Sequence, residues 1–447
     1  MGRPGAWCLV AVDGLMAPSA TKTVDIAVAF VGTAVPDSPQ YRSAVFNRAG
    51  NTFQTKLIQG IARSGLPDVE VFSARPVQSY PKGPKVWFAA GRDRLDDHMT
   101  VRLLPFLNVT PIKQVMLGLD VVLSLLEWAW RKRGQKRIVL TYNLSVPPAA
   151  LTLFAARLVG AKAVVSVNDV NVPGETVPAT PLFRLDFALQ RWLMPRFDGH
   201  LVVADRIARD FFPGRQYVRI EGGVDRQFLE STERGGASSA AHSPLVLAFA
   251  GTLNEVNGVP LILGAMQRLR DANLQLRIAG SGPLLEMVRD AARQDARIDF
   301  MGMLDTGAVA DLYKHADVLL NIRLTTAVDT RYFFPSKLIE YLGSGVPTIT
   351  TRVAHADTEF AGLVYVLGEE SPQALADLLH KVASLQTEER WKLGRLARTY
   401  VTTYKTWDVQ SAKAAEYLGT LVGGSFGTGQ PDVLEQERDS IERPELL

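Results

Sequence analysis

The segment FFPSKLIEYLGSGVPTITT (333–351) carries the clearest chemical signal. Pro335 suits the start of a helix, where its missing N–H costs nothing. Ser336 and Lys337 then lie at a helix N-terminus, whose free N–H groups and positive dipole end favour an anion. Glu340 follows Lys337 by one helical turn and shares its face. Gly343, Gly345 and Pro347 end the helix. Read as plain structure, the same segment is a capped helix with a Lys337–Glu340 surface salt bridge. A second cation, Arg323, closes the strand-like run DVLLNIR (317–323), and its planar fork suits phosphate oxygens.

Glycines mark the neighbouring strand ends. GTLNEVNGVP (251–260) brings Gly251 and Gly258, and RIAGSGP (277–283) brings Gly280. Such residues let backbone approach a ligand closely, although neither segment matches a dinucleotide fingerprint or a Walker A loop. In the first half of the chain, Gly50 and Asn51 open a helix, with Asn51 the expected cap, and Asn168 and Asp169 end a buried strand. No two histidines have metal-ligand spacing, and there is no nucleophile elbow. His355, in a loop after a strand, is the one histidine placed near these segments.

The elements that must position these residues alternate in type. VDIAVAFVG (24–32) is a continuous apolar run, as expected of a strand buried on both faces. Helix- and strand-like stretches follow in turn, with strands expected at 68–74, 85–90, 137–143, 161–169, 199–204 and 217–225. The Gly/Ser/Ala stretch STERGGASSAAHS (231–243) reads as a linker. The alternation then resumes, from LVLAFAG (245–251) to a helix over 373–385, and residues 387–420 are amphipathic and helical. Strand–helix–strand order with short connections predicts parallel sheets with right-handed crossovers. The expected fold is therefore α/β, with two doubly wound, Rossmann-like parallel-sheet domains facing across a cleft. Ligands in such sheets bind beyond the C-terminal strand ends.

Composition narrows the class. The 447 residues hold 49 Lys and Arg against 46 Asp and Glu, for a net charge of +3, which excludes a global nucleic-acid surface. The single cysteine, Cys8, excludes an internal disulfide and points to a reducing, cytoplasmic setting. No apolar run reaches the roughly 18 residues of a membrane span. Val115–Trp130, followed by Arg131, Lys132, Arg133, Lys136 and Arg137, could lie on an anionic membrane surface. The preferred, plainer reading is a core-packing helix with a solvated basic end.

In order and spacing, GTLNEVNGVPLILGAM, RIAGSGPL, FMGMLDTGAVADLYKHADVLLNIR and FPSKLIEYLGSGVPTI together resemble the retaining GT-B glycosyltransferases, family 4 in particular. The resemblance spans about Val24 to Leu418. It implies sugar transfer with retention from a nucleotide-sugar to a glycan or lipid-linked acceptor, in polysaccharide or glycoconjugate synthesis. No cofactor or metal is implied. Glu340 would accept hydrogen bonds from ribose hydroxyls, as the second Glu of the family's E-x7-E motif does. Amides near Ser336 and Lys337, with Gly251, would hold the diphosphate. Gly302 and Met303 would contact the base, with Gly280 nearby. Asn168 and Asp169 fall where many members place a His-Asp pair facing the donor sugar, and Gly50 and Asn51 fall on the acceptor side.

Two departures stand out. Tyr332 occupies the place of the first motif Glu. Thr252 and Asn257 stand where many members carry Arg and Lys for the diphosphate. The expectation is that Arg323 and Lys337 supply those charges, with Arg331 a competitor. Because the first Glu is missing, a GT-B-fold sugar-nucleotide epimerase and a non-catalytic binding protein remain alternatives. The resemblance divides the chain into an extension (1–23), an acceptor-side domain (24–230), the linker (231–243), a nucleotide-sugar domain (244–400), a terminal helix packing back on the first domain (401–420) and a tail (421–447). It also makes contact with the inner membrane face an expectation.

Overall fold

The computed structural model describes residues 25–43, 45–144, 146–233, 244–270, 272–326, 330–353, 356 and 358–423. The N-terminal extension with Cys8, most of the linker, His355 and the C-terminal tail lie outside the described residues.

The apolar run at the start of the described chain forms β1 (Ile26–Gly32), buried along almost its whole length. It is followed by α1 (Arg48–Arg63), β2 (Asp68–Ser73), β3 (Trp87–Phe88), β4 (Gly91–Arg94), β5 (Thr100–Leu103) and β6 (Phe106–Leu107). Then come α2 (Ile112–Arg131), β7 (Lys136–Tyr142), α3 (Val146–Leu158), β8 (Lys162–Val167), α4 (Pro181–Leu193), β9 (Gly199–Val202), α5 (Asp205–Phe211), β10 (Tyr217–Arg219) and α6 (Arg226–Ser231). The strands assemble in the order β10-β9-β8-β7-β1-β2-β5-β4. Right-handed crossovers put α1 on one face of this sheet, and α2, α3 and α4, which run the other way from β1, on the opposite face.

The second sheet uses β11 (Leu245–Thr252), α7 (Val259–Arg268), β12 (Leu274–Ser281), α8 (Leu285–Gln294), β13 (Ile298–Gly302), α9 (Thr306–Lys314), β14 (Val318–Asn321), α10 (Ser336–Ser344), β15 (Thr348–Thr350), β16 (Tyr365–Val366) and α11 (Pro372–Ser384). Its order is β13-β12-β11-β14-β15-β16, parallel throughout. The chain ends in α12 (Thr387–Tyr404) and α13 (Trp407–Leu421). In both sheets the order reverses beside the first strand, which opens a crevice at its C-terminal end.

Several expectations need correction. The first sheet is not wholly parallel, since β4 runs antiparallel to β5 at its edge. The strand expected over 85–90 is only Trp87–Phe88, paired antiparallel with Phe106–Leu107. Short, polar, half-exposed edge strands of this kind give little periodicity to read. Asn51 is not the cap of α1: Asn47 is, accepting from the Gly50 amide. The helical stretch at 387–420 breaks at Lys405–Thr406, where Thr406 caps α13.

The break lets α13 return to the first sheet. A Cβ on Gly60 of α1 would lie 2.0 Å from the Ser411 hydroxyl, and one on Gly223 would lie 2.7 Å from the Trp407 amide. The two helices and the 219–225 segment therefore pack at backbone distance. The largest apolar core joins residues of the first half with Phe334, Leu338, Phe360 and Trp407.

Candidate functional site

At the crevice of the second sheet, the end of β11 is gripped from α10. The Lys337 ammonium donates to the Ala250 carbonyl at 2.8 Å, and the Tyr341 hydroxyl accepts from the amide of the same residue (3.1 Å) and donates to its carbonyl (3.2 Å). Among the described residues no ion pair joins Lys337 to Glu340, so the surface salt bridge expected of a plain helix is absent. Lys337 lies open to water yet hemmed in by protein, and this desolvation lowers its pKa. Glu340 is shifted the opposite way: burial raises its pKa, and the Lys337 charge offsets only part of that. No described group donates a hydrogen bond to its carboxylate.

Arg323 reaches the same place from the end of β14. Its guanidinium stacks 3.9 Å over the Phe333 ring, and Nη1 lies 3.4 Å from the Asn257 side-chain oxygen. Asn257 in turn donates to the Thr252 carbonyl at 2.8 Å. Arg323 has no carboxylate partner among the described residues, its Nε is buried without a hydrogen bond, and desolvation lowers its pKa. Lys337 thus reaches Ala250 directly and Arg323 reaches Thr252 through Asn257, beside the N-terminal turn of α10 that begins at Ser336, with Glu340 one turn along the same helix. Two cations with no ion-pair contact among the described residues, next to the first amides of a helix, form a site for a multiply charged anion.

Glycines let the loops close on one another. A Cβ on Gly280 would sit 1.8 Å from the Gly251 carbonyl oxygen, at a backbone φ of +143° that side chains avoid. One on Gly258 would sit 2.3 Å from Ile322, next to Arg323. Gly302 turns at φ +69° with open space around it, and Met303 beside it is 74% exposed.

Arg331 and Tyr332 are engaged elsewhere. Arg331 pairs with Glu175 at 3.0 Å in a water-exposed ion pair. The Tyr332 hydroxyl donates to Asp210 at 2.8 Å, and its ring packs edge-on against Phe211. Both contacts tie the 330–335 segment to the first half of the chain.

The first sheet's crevice holds a cavity of about 380 Å³ whose walls include Gly32, Gly50, Asn51, Lys113, Tyr142 and Asp169. Asn143, at φ +55°, organises its floor. Its side-chain oxygen accepts from the Asn168 and Asp169 amides (2.8 and 3.2 Å), and its side-chain nitrogen donates to the Asp169 carboxylate (2.9 Å). Asn168 accepts from Ser166 at 2.7 Å, so Asp169 is the more exposed of the two. Burial and the Asp169 charge raise the pKa of Tyr142. Asn51 is spent on structure: its amide oxygen and nitrogen both bond the Val35 backbone at 2.9 Å.

Sequence reasoning passed over several of these groups. Gln54 accepts from the Thr33 amide at 2.8 Å and fills the space that a Cβ on Gly32 would take. Asn143 had a readable signal, because Asn after a buried strand tolerates a left-handed conformation. Tyr341 had none, since its spacing is that of a core residue. Among the described residues no group of three or more His, Cys, Asp and Glu side chains is arranged so that it could hold a metal ion, and no helix is long and apolar enough to cross a membrane.

Residues 244–384 match the family model described as Glycosyl transferases group 1. No curated protein sequence matches the chain. Its fold is similar to that of a glycosyltransferase from Rickettsia africae, with TM-score 0.63, 12% identity, and coverage of 90% of this chain and 100% of that one. It is also similar to sucrose-phosphate synthase from Thermosynechococcus elongatus, with TM-score 0.62, 15% identity, and coverage of 89% and 100%. Anabaena HepE in complex with UDP gives TM-score 0.62, 13% identity, and coverage of 88% and 100%. The chain therefore has the fold of the GT-B glycosyltransferases, and the half that holds Arg323, Lys337 and Glu340 carries the match to glycosyl transferases group 1.

Proposed function

We propose that this protein is a glycosyltransferase that moves a hexosyl group from a nucleotide-sugar to a glycan or lipid-linked acceptor, with retention, in polysaccharide or glycoconjugate synthesis. The observation that carries the reading is that Lys337 directly, and Arg323 through Asn257, meet the end of β11, with Glu340 one helical turn from Lys337 and without a hydrogen-bond partner among the described residues. The two cations would hold the diphosphate together with the Ser336 amide and the backbone at Gly251. Glu340 would accept from the ribose hydroxyls, while Gly280, Gly302 and Met303 would border the base. HepE and a pneumococcal O-GlcNAc transferase, both solved with UDP, support a uridine nucleotide as the first donor to test.

In the transfer, the bond from the sugar's anomeric carbon to the diphosphate breaks as the acceptor oxygen bonds that carbon from the same face. The acceptor proton passes to the departing phosphate oxygen. The protein's part is positioning and charge stabilisation rather than nucleophilic attack. Asp169, at the mouth of the opposite cavity, would orient the sugar or the acceptor hydroxyl, with Asn168 and Asn143 fixing its position. No metal enters this scheme, because Arg323 and Lys337 meet the growing charge.

The test is stabilisation against thermal unfolding by a panel of UDP-, GDP- and TDP-sugars, followed by NMR of the product's anomeric configuration. One sugar nucleotide should stabilise the protein. Arg323→Ala and Lys337→Ala should each weaken its binding about 10- to 100-fold, the range for a charged hydrogen bond. Unchanged affinity in both variants would refute the assignment. Epimerised donor, or binding without turnover on any acceptor, would instead identify an epimerase or a non-catalytic binder.

A further inference from the structure

The helices α2, α3 and α4 cover one face of the first sheet, and their outer sides are apolar. On α2 the exposed residues Ile112, Val115, Leu119, Leu123, Leu126 and Trp130 recur every three or four positions, forming one stripe along the whole helix. On α4 the residues Leu182, Leu185, Leu189 and Trp192 do the same, with Leu182 73% exposed. Phe154 and Leu158 of α3 lie exposed between them. A Cβ on Gly118 of α2 would lie 2.4 Å from Leu151 of α3, so these two helices pack closely and their stripes adjoin. A soluble monomer rarely leaves so much contiguous apolar surface uncovered.

Charge identifies what covers it. Each tryptophan stands at the C-terminal end of its helix under an arginine: the Arg133 guanidinium is 5.1 Å from the Trp130 ring, and that of Arg196 is 3.7 Å from the Trp192 ring. Neither arginine has a carboxylate partner among the described residues, and the same holds for Arg157 and Arg184 on the same face. Of the acids on these helices, Glu127 pairs with Arg102 at 2.6 Å and Asp186 accepts from Gln190 at 2.6 Å. Apolar stripes ending in Trp, bordered by unpaired Arg, match the depth profile of a bilayer interface. A protein partner would need matching carboxylates; an anionic lipid surface supplies negative charge everywhere.

We propose that the outer face of α2, α3 and α4 docks on an anionic lipid bilayer. The inner side of α2 contributes Lys113, Leu117 and Val121 to the 380 Å³ cavity beside Asp169. A bilayer on the outer side therefore lies one helix away from that cavity, and an acceptor carried by lipid reaches it along α2. Docking does not depend on the donor-site assignment.

The experiment is flotation of the purified full chain with vesicles of phosphatidylglycerol and phosphatidylcholine, or of phosphatidylcholine alone. The protein should bind the anionic vesicles at least 10-fold more tightly, and several-fold less so in 0.5 M salt. Leu123→Glu combined with Trp192→Glu should weaken binding more than 10-fold, and so should Arg133→Glu combined with Arg196→Glu, at about 1 kcal/mol per charge. Wild-type protein that ignores anionic vesicles, or variants that bind as well as wild type, would overturn the proposal. Self-association that Leu123→Glu abolishes, with no vesicle binding, would give the face to a second copy of the chain. Retained sugar-nucleotide stabilisation in the variants shows an intact fold; its absence in every protein, wild type included, would sink the donor reading and leave docking standing.

Discussion

Glu340 and Lys337 share one helical turn, and burial shifts both toward their neutral forms: the carboxyl upward, the ammonium downward. A folded-state pKa raised above the unfolded value contributes stability below the unfolded pKa, and that stability is lost as pH rises through the folded pKa. Ionised Glu340 is therefore a standing cost at neutral and higher pH. Glu340→Gln removes it, so the variant's Tm should equal wild type near pH 4 and exceed it at pH 8. The same change should weaken sugar-nucleotide binding about 10-fold, because a neutral amide oxygen accepts from hydroxyls more weakly than a carboxylate. Calorimetry at the two pH values, with and without nucleotide, checks both signs. A variant less stable than wild type at pH 8 would mean that Glu340 is held by partners other than ligand. In wild type, donor affinity should fall on both sides of an optimum. On the acid side Glu340 gains a proton, and on the alkaline side Lys337 loses one.

At the scale of elements, the site depends on how closely β11 and β12 end together. Gly280→Ala places a methyl group against the Gly251 carbonyl and forces a disfavoured φ. It should cost about 1–3 kcal/mol of stability and reduce donor affinity at least 10-fold, since Gly251 must move. Gly302→Ala meets open space, but its φ is also positive, so it should be milder in both respects; equal effects would remove the packing argument. This arrangement was largely legible in the sequence. Buried strands such as LVLAFAG and LQLRIAG end in Gly because their loops crowd, and the helix at Ser336 is marked by Pro335 before it and Gly345 after it. The edge around β4, β5 and β6 was not legible, because two- to four-residue strands leave too few alternations to count. Nor was the choice of which side of α2 stays exposed. Its apolar positions are periodic on both faces, and only the fold determines which stripe meets the sheet.

Across the whole molecule, the two halves meet at two unlike places. At the rear, where the chain passes back to α13, Arg219 pairs with Asp205 (2.6 Å) and with Glu221 and Glu359, and Lys405 pairs with Glu221 and, at 2.6 Å, with Glu359. Tyr400 donates to Glu359 at 2.6 Å. Lys405, Glu221 and Glu359 are nearly sealed from water. Burial and Glu221 push the Glu359 pKa up, but Lys405 and Arg219 outweigh them and hold it below the ordinary carboxylate range. A depressed folded pKa contributes stability above the unfolded value that is lost as pH falls through the folded one, so acid should open this junction. At the cleft rim, by contrast, Arg331–Glu175 and Tyr332–Asp210 are a water-exposed ion pair and a half-buried hydrogen bond. Exposed pairs stabilise little, whereas removing one member of a buried ionic cluster costs about 3–5 kcal/mol. Glu359→Gln should therefore lower Tm by roughly 10 °C at pH 7 and by less at pH 3. Arg331→Ala combined with Tyr332→Phe should leave Tm within about 2 °C. Loss of the rim pair should instead raise KM for the donor several-fold with kcat changed less, and increase the radius of gyration of the free protein in solution scattering. A rim variant as unstable as Glu359→Gln would mean that the halves are held together at the cleft and not at the rear.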